Sequence, residues 1–256
     1  MTERALRIGD TEIARIGLGT NRLSRSSRNI TFIQEAAAAG VGLIDTAHLY
    51  TGGESETTIG EAVASLPEKP VVATKGGFTP GQGRPEVLRA QIEESLRLLR
   101  TETIELYYLH RVDPETPMEE SLGTIAEYVE RGAIRHVGIS EVGVDQIEQA
   151  RRVFEITAVQ NRYSLVEREH EDVVDHCTAE GIVFVPFFPL RGVGGRALDR
   201  IAGAHGATPH QIALAWLLKR SPMMLPIPGT LSIEHLQENL AALDIELSDE
   251  EFETLG

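Results

Sequence analysis

The sequence predicts an α/β protein folded as a (β/α)8 TIM barrel, and three observations carry that expectation. Short apolar runs of strand length alternate with longer segments of helical period about eight times along the chain. The chain has 256 residues, about 32 for each strand-plus-helix unit, and barrels of this kind run to about 250 residues. The strand runs are continuously apolar rather than alternating, as in a parallel sheet whose faces are covered by helices. An open doubly wound sheet is the competing α/β arrangement. It calls for a GxGxxG turn after an early strand, and the early loop here reads Gly17-Leu18-Gly19-Thr20-Asn21.

Taken in order, Leu6–Ile8 and Ile13–Arg15 around Gly9-Asp10 form a hairpin expected to close the barrel bottom. Barrel strands follow near Ile16–Gly19, then at Gly42–Asp45, Val71–Thr74, Leu106–Leu109, Ile134–Ile139, Ala158–Gln160, Ile182–Pro186 and Met224–Ile227. Between them lie helices with readable ends. Arg84-Pro85 opens one with the apolar face Leu88, Ile92, Leu96 and Leu99. Thr208 caps another ahead of Pro209, and Ser232 and Ser248 cap two more, the last with Glu251 in a capping box. Gly40, Gly132 and Gly181 stand where helices end. No linker or repeat divides the chain, so residues 1–256 are read as one domain.

Charge and composition exclude several roles. With 24 basic and 39 acidic residues the net charge is −15, which argues against nucleic acid or an anionic membrane as partner. The lone Cys177 forbids an internal disulfide and reads as packing in a reducing compartment. The start MTERALRIGD has no signal-peptide character, and no run approaches the ~20 apolar residues of a membrane span. The expectation is a soluble cytoplasmic protein, a monomer rather than an assembly. The eight histidines are scattered and give no metal site.

Barrel chemistry sits at the C-terminal strand ends. Here those ends read Asp45, Lys75, His110, Ser140, Gln160 and Phe187, and a five-residue loop can turn Tyr50 back beside Asp45. An acid, a phenol, an ammonium and an imidazole at one mouth form a rare cluster, able to bind and protonate an oxygen. A phenol can stabilise the oxygen and deliver a proton, and a neighbouring Lys75 is expected to lower its ordinary pKa of ~10. His110 can orient the substrate oxygen. Lys75 alone would also serve a Schiff-base aldolase, which leaves the tyrosine unexplained.

The segment IDTAHLYTGGESETTIG, with ATKGGF, YYLHRVDPETPMEES, HVGISEV, AVQNRYSL, FFPL and PIPGT…EHLQENL in order, resembles the aldo-keto reductase superfamily over nearly the whole chain. The resemblance implies an NAD(P)H-dependent reductase of aldehydes and ketones with the tetrad Asp45, Tyr50, Lys75 and His110. It implies that Ser140 and Gln160 bind the nicotinamide carboxamide and that Phe187 stacks on the ring, with Glu141 where the family has asparagine. Pro189, Leu190, Arg191 and Gly192 in one loop, and Ile227, Gly229 and Thr230 in the other, belong to the cofactor cradle, whose phosphate-binding loops a barrel places after its last strands. Glu238 and Asn239 match the adenine pair. Gly229 and His235 stand where NADP-preferring members place basic residues, so NADPH is the family expectation and NADH stays open. Thr20, His48, Phe78 and Arg111 are candidates for the substrate lining. Short loops predict an open pocket with broad tolerance. The alternative is a cofactor-binding regulatory subunit that keeps the fold without turnover.

Overall fold

In the computed structural model, residues 4–256 are described, so the first three residues of the MTERALRIGD stretch lie outside them. The N-terminal residues form an antiparallel pair, β1 (Ala5–Ile8) and β2 (Thr11–Ala14), in register Leu6 opposite Ile13. Seven strands then build one parallel sheet in strict sequence order. They are β3 (Leu18–Gly19), β4 (Leu43–Asp45), β5 (Val71–Gly76), β6 (Ile104–Leu109), β7 (Ile134–Ser140), β8 (Ala158–Gln160) and β9 (Val183–Phe184).

The segment 223–229 was read as a strand at Met224–Ile227, yet it carries only isolated bridges, Met224 to Phe184 and Gly229 to Gly19. Leu225 N–H reaches the Phe184 carbonyl at 2.9 Å, whereas toward β3 it is Gly17 and Gly19 that donate, to Pro226 and Pro228 at 2.9 and 3.2 Å. Neighbouring residues of a strand face opposite partners, so both prolines fall on the β3 side. Without N–H groups they cannot return a hydrogen bond, and no regular ladder forms there.

Among the described residues ten α-helices surround the sheet. They are α1 (Ser27–Ala38), α2 (Glu54–Val63), α3 (Pro85–Leu99), α4 (Met118–Glu130), α5 (Val144–Ala150), α6 (Glu171–Glu180), α7 (Arg196–His205), α8 (Pro209–Arg220), α9 (Ile233–Ala241) and α10 (Asp249–Leu255). Thr208 Oγ1, Ser232 Oγ and Ser248 Oγ accept from the third residue of α8, α9 and α10, and Thr208 and Ser248 complete capping boxes with Gln211 and Glu251. α10 docks on α8 by stacking Phe252 on Trp216, ring centroids 5.3 Å apart. No helix among the described residues is long and apolar enough to cross a membrane.

Two cores result, and the division between them positions the site. Outward strand residues such as Ile44, Tyr107, Leu109 and Val159 pack under the helices. Inward ones, Leu43, Ala73, Leu106, Tyr108, Ala158, Val185 and Ile227, form an inner core with Leu6, Ile8 and Ile13 of the hairpin. The period of a strand is two. The next inward positions toward the C-terminal ends are therefore Asp45, Lys75, His110, Gln160 and Phe187. Gly138 makes this packing possible: a Cβ there would stand 2.4 Å from the Tyr108 ring.

Candidate functional site

Asp45 and Lys75 meet at the top of the inner core, 2% and 0% exposed. Lys75 Nζ donates to Asp45 Oδ1 at 2.6 Å and to the Thr46 carbonyl at 2.7 Å. The other carboxylate oxygen accepts from Gln160 Nε2 at 2.8 Å, a contact between residues 115 apart in sequence. Burying two charges is costly, and only close pairing with further hydrogen bonds compensates. Burial presses the Lys75 pKa down, yet Asp45 and then Tyr50 outweigh it and leave the ammonium above its ordinary value. That is the opposite of the depressed amine a Schiff-base nucleophile needs, so the aldolase alternative loses its chemical basis.

Tyr50 reaches the pair by a device the chain hides well. It opens a 3-10 turn, Tyr50–Gly53, in which Thr51 and Gly52 take left-handed φ of 49° and 65°. Thr51 Oγ1 pins the turn to the Leu23 carbonyl at 2.8 Å. Lys75 Nζ then stands 5.1 Å from the Tyr50 ring centroid, and the His110 ring meets Tyr50 edge-on at 6.1 Å. The expected lowering of the phenol pKa does not survive as a net effect. Burial raises it more than Lys75 lowers it, and Asp45 also raises it, so the phenol stays above its ordinary pKa. His110 is 5% exposed, and burial, then Lys75 and Arg111, push its pKa down to about 2. Its imidazole is neutral.

Around these groups lies a wider mouth. Phe78 sits 4.8 Å from the His110 ring. The Arg111 guanidinium lies 5.3 Å from Phe78 and 5.9 Å from Phe187, and its Nη1 donates to Ser140 Oγ at 3.1 Å. Leu49, Phe78, Val166, Phe188 and Leu231, large apolar side chains left exposed, all stand on loops that follow inward-core segments at this end.

Three of the expected residues also make contacts within the protein. Thr20 is 2% exposed, and its hydroxyl is tied to the Asp45 carbonyl at 2.8 Å and to Ser55 Oγ at 3.0 Å, so it braces the loop beneath the mouth. His48 faces outward because the residues it meets lie on the helix side. Glu56, bonded to outward-pointing Thr74 at 2.5 Å, is 4.0 Å from Nδ1, and Glu94 is 3.8 Å from Nε2. Arg191 is exposed and lies 3.3 Å from Glu167.

On the cofactor side, Ser140 and Gln160 are buried and Phe187 is half-buried with its ring toward the mouth. Glu141 holds a left-handed φ of 56°, and its carboxylate accepts from the Arg162 backbone N–H at 2.6 Å. Pro189 is buried, Leu190 is half-buried, and Gly192 opens a glycine-rich loop running to Gly195 with positive φ at Gly192, Gly194 and Gly195. Ile227 is 5% exposed beside Gly17, while Gly229 and Thr230 lead into the α9 cap. His235 and Glu238 are exposed and Asn239 is buried. Glu234 feels His235 and also Arg28 of α1, so a cation from the far end of the sequence lies near this corner, a residue the motif reading did not find.

A cleft of about 340 Å³ between the hairpin, α1 and α9 is lined by Arg4, Glu12, Ala39 and Leu243. It lies at the opposite end of the strands from Asp45 and Lys75, and has no nucleophile or buried charge. Buried Asp45, Lys75 and His110 gather instead at the C-terminal ends.

The model of the Aldo/keto reductase family matches residues 15–196 and 194–256. The chain belongs to this family. It is 37% identical over 271 residues to an uncharacterised oxidoreductase of Schizosaccharomyces pombe, covering 98% of this chain and 88% of that one. It is 34% identical over 280 residues to pyridoxine 4-dehydrogenase of Escherichia coli, covering 100% and 98%. The crystal structure of an aldo/keto reductase from Klebsiella pneumoniae in complex with NADP and acetate superposes with a TM-score of 0.89 at 29% identity, covering 99% and 94%.

Proposed function

We propose that this enzyme reduces aldehydes and ketones to alcohols with NADPH, Tyr50 delivering the proton. The observation that carries the reading is the buried ammonium of Lys75, fixed by Asp45 at 2.6 Å and standing 5.1 Å from the Tyr50 ring at an open apolar-rimmed mouth. The phenol, raised above its ordinary pKa, is fully protonated at neutral pH and hence poised as an acid. As it gives up its proton, the neighbouring ammonium stabilises the charge left on oxygen. Neutral His110 offers a ring N–H to the same carbonyl oxygen and orients it. Asp45 and Gln160 act behind these groups, holding Lys75 charged and in place.

NADP(H) is the cofactor. When bound, its reduced nicotinamide supplies the hydride that no side chain can. The residues present suit it: a half-buried aromatic face at Phe187, hydrogen-bonding groups at Ser140 and Gln160, a glycine loop open to a backbone approach, and the α9 N-terminus for phosphate. In this reading segment 223–229 serves as the eighth stave of the barrel and the β1–β2 hairpin as its floor. Substrates are small or medium carbonyl compounds lying against Phe78 and Arg111. The test is purified protein with NADPH and a panel of aldehydes and ketones, followed by loss of reduced-nicotinamide absorbance. Turnover of several members is expected, and none across the panel would refute the reading.

A further inference from the structure

A second cation at the mouth has no carboxylate in direct contact, in a chain rich in acid. The protein has 39 acidic residues to 24 basic ones, and partly buried arginines elsewhere are matched. Arg168 and Arg220 both pair with Glu171, and fully buried Arg15 donates to the Leu218 and Met224 carbonyls. Arginines with no carboxylate within reach, namely Arg7, Arg22, Arg28, Arg152, Arg196 and Arg200, are exposed to water. Arg111 is neither. It is half-buried, and among the described residues no carboxylate lies within 4 Å of it.

The surroundings hold this guanidinium without a direct ion pair. Phe78 and Phe187 flank it at 5.3 and 5.9 Å, and the Nη1 donors reach the His110 carbonyl at 2.6 Å and Ser140 Oγ at 3.1 Å. Glu141 attracts Arg111 across more than ion-pair distance, and its carboxylate accepts from the Arg162 backbone N–H. Nε and Nη2 carry no protein partner among the described residues. A planar fork with free donors, clamped between rings beside His110, is built to take a carboxylate side-on. Building on the carbonyl-reductase reading of this site, we propose that Arg111 selects carbonyl substrates that carry a carboxylate, gripping it while His110 and Tyr50 meet the C=O.

The test compares 4-carboxybenzaldehyde with its neutral counterpart 4-formylbenzamide, which has nearly the same shape. Wild type should favour the carboxylate by about tenfold or more in kcat/KM, equivalent to one factor of ten in transition-state binding. In Arg111→Gln that ratio should fall to near one, and in Arg111→Lys, a point charge without the fork, to an intermediate value. A wild-type ratio near one, or a ratio unchanged in Arg111→Gln, overturns the proposal. Reduction of the neutral amide reports on the reductase reading separately. Equilibrium binding of benzoate against benzamide to the NADP-saturated protein reads the same preference without turnover. Benzoate must bind more tightly, and must lose that advantage in Arg111→Gln. A substitution that instead weakens NADPH itself, with the ratio intact, would place Arg111 in the cofactor site and refute its role in substrate choice.

Discussion

At Tyr50 two fields oppose each other. Burial favours the neutral phenol, the ammonium at Lys75 favours the phenolate, and burial prevails before substrate arrives. In the proposed mechanism the charge of Lys75 therefore matters most at the moment the proton leaves, which is where a catalyst needs it. His110 follows the same logic, since burial and two neighbouring cations keep it neutral down to about pH 2. The pH dependence of carbonyl reduction then has a defined shape. Neither group changes protonation between pH 5 and 9, so kcat should show no limb near the ordinary histidine pKa of ~6.5. Initial rates across that range under saturating NADPH check this, and a single-proton limb between pH 6 and 7 would contradict it. Lys75 and His110 are legible in the sequence as strand-end positions, whereas Tyr50 lies in a loop beyond β4. The net direction at Tyr50 is not legible there, because desolvation depends on every atom packed around the ring.

Among the elements, the β5–α3 and β6–α4 loops are joined by one carboxylate. Asp113 accepts from the backbone N–H groups of Gly81, Gly83 and Glu115 at 3.0, 2.8 and 2.9 Å and from Thr116 Oγ1 at 2.9 Å. Burial opposes its charge, but these donors prevail and bring its pKa down to about 2. Asp113→Ala strands three N–H groups and should lower the unfolding free energy by about 2–4 kcal/mol. A depressed pKa contributes stability above the ordinary carboxylate value, lost as pH falls toward 2. Chemical denaturation of both proteins should thus show a gap that is constant above about pH 5 and narrows below pH 4. A gap under half a kcal/mol at neutral pH would show that water replaces the side chain.

Elements also mark where sequence reading succeeds and stops. The run Ile-Glu-Leu-Tyr-Tyr-Leu announces β6 because its apolar residues serve both cores at once. Segment 223–229 reads as an ordinary strand until its two prolines are weighed against the partner they face. The turn at Tyr50–Gly53 is hidden because Thr51, a β-branched residue, takes a left-handed conformation that local preference disfavours. The loop places His48 among the expected mouth residues, and the fold sets its ring 4.0 and 3.8 Å from Glu56 and Glu94.

For the molecule as a whole, the inner core supports the chemistry directly above it. Leu106 is fully buried among hairpin and strand residues two positions below Tyr108 and four below His110. Leu106→Ala should cost about 2–5 kcal/mol and lower Tm by roughly 2–4 °C for each of those kcal/mol, as calorimetry would register. No change in Tm would mean the core collapses into the space and is not the fixed platform described. The central claim, that Tyr50 is the proton donor in a carbonyl reduction, is tested most directly by single-turnover reduction of one aldehyde by the NADPH complex of Tyr50→Phe. The rate should fall by about 10²–10³ or more, the cost of losing one donor to a developing oxyanion, while cofactor fluorescence reports an NADPH affinity near wild type. A variant that reduces the aldehyde at the wild-type rate would contradict the account.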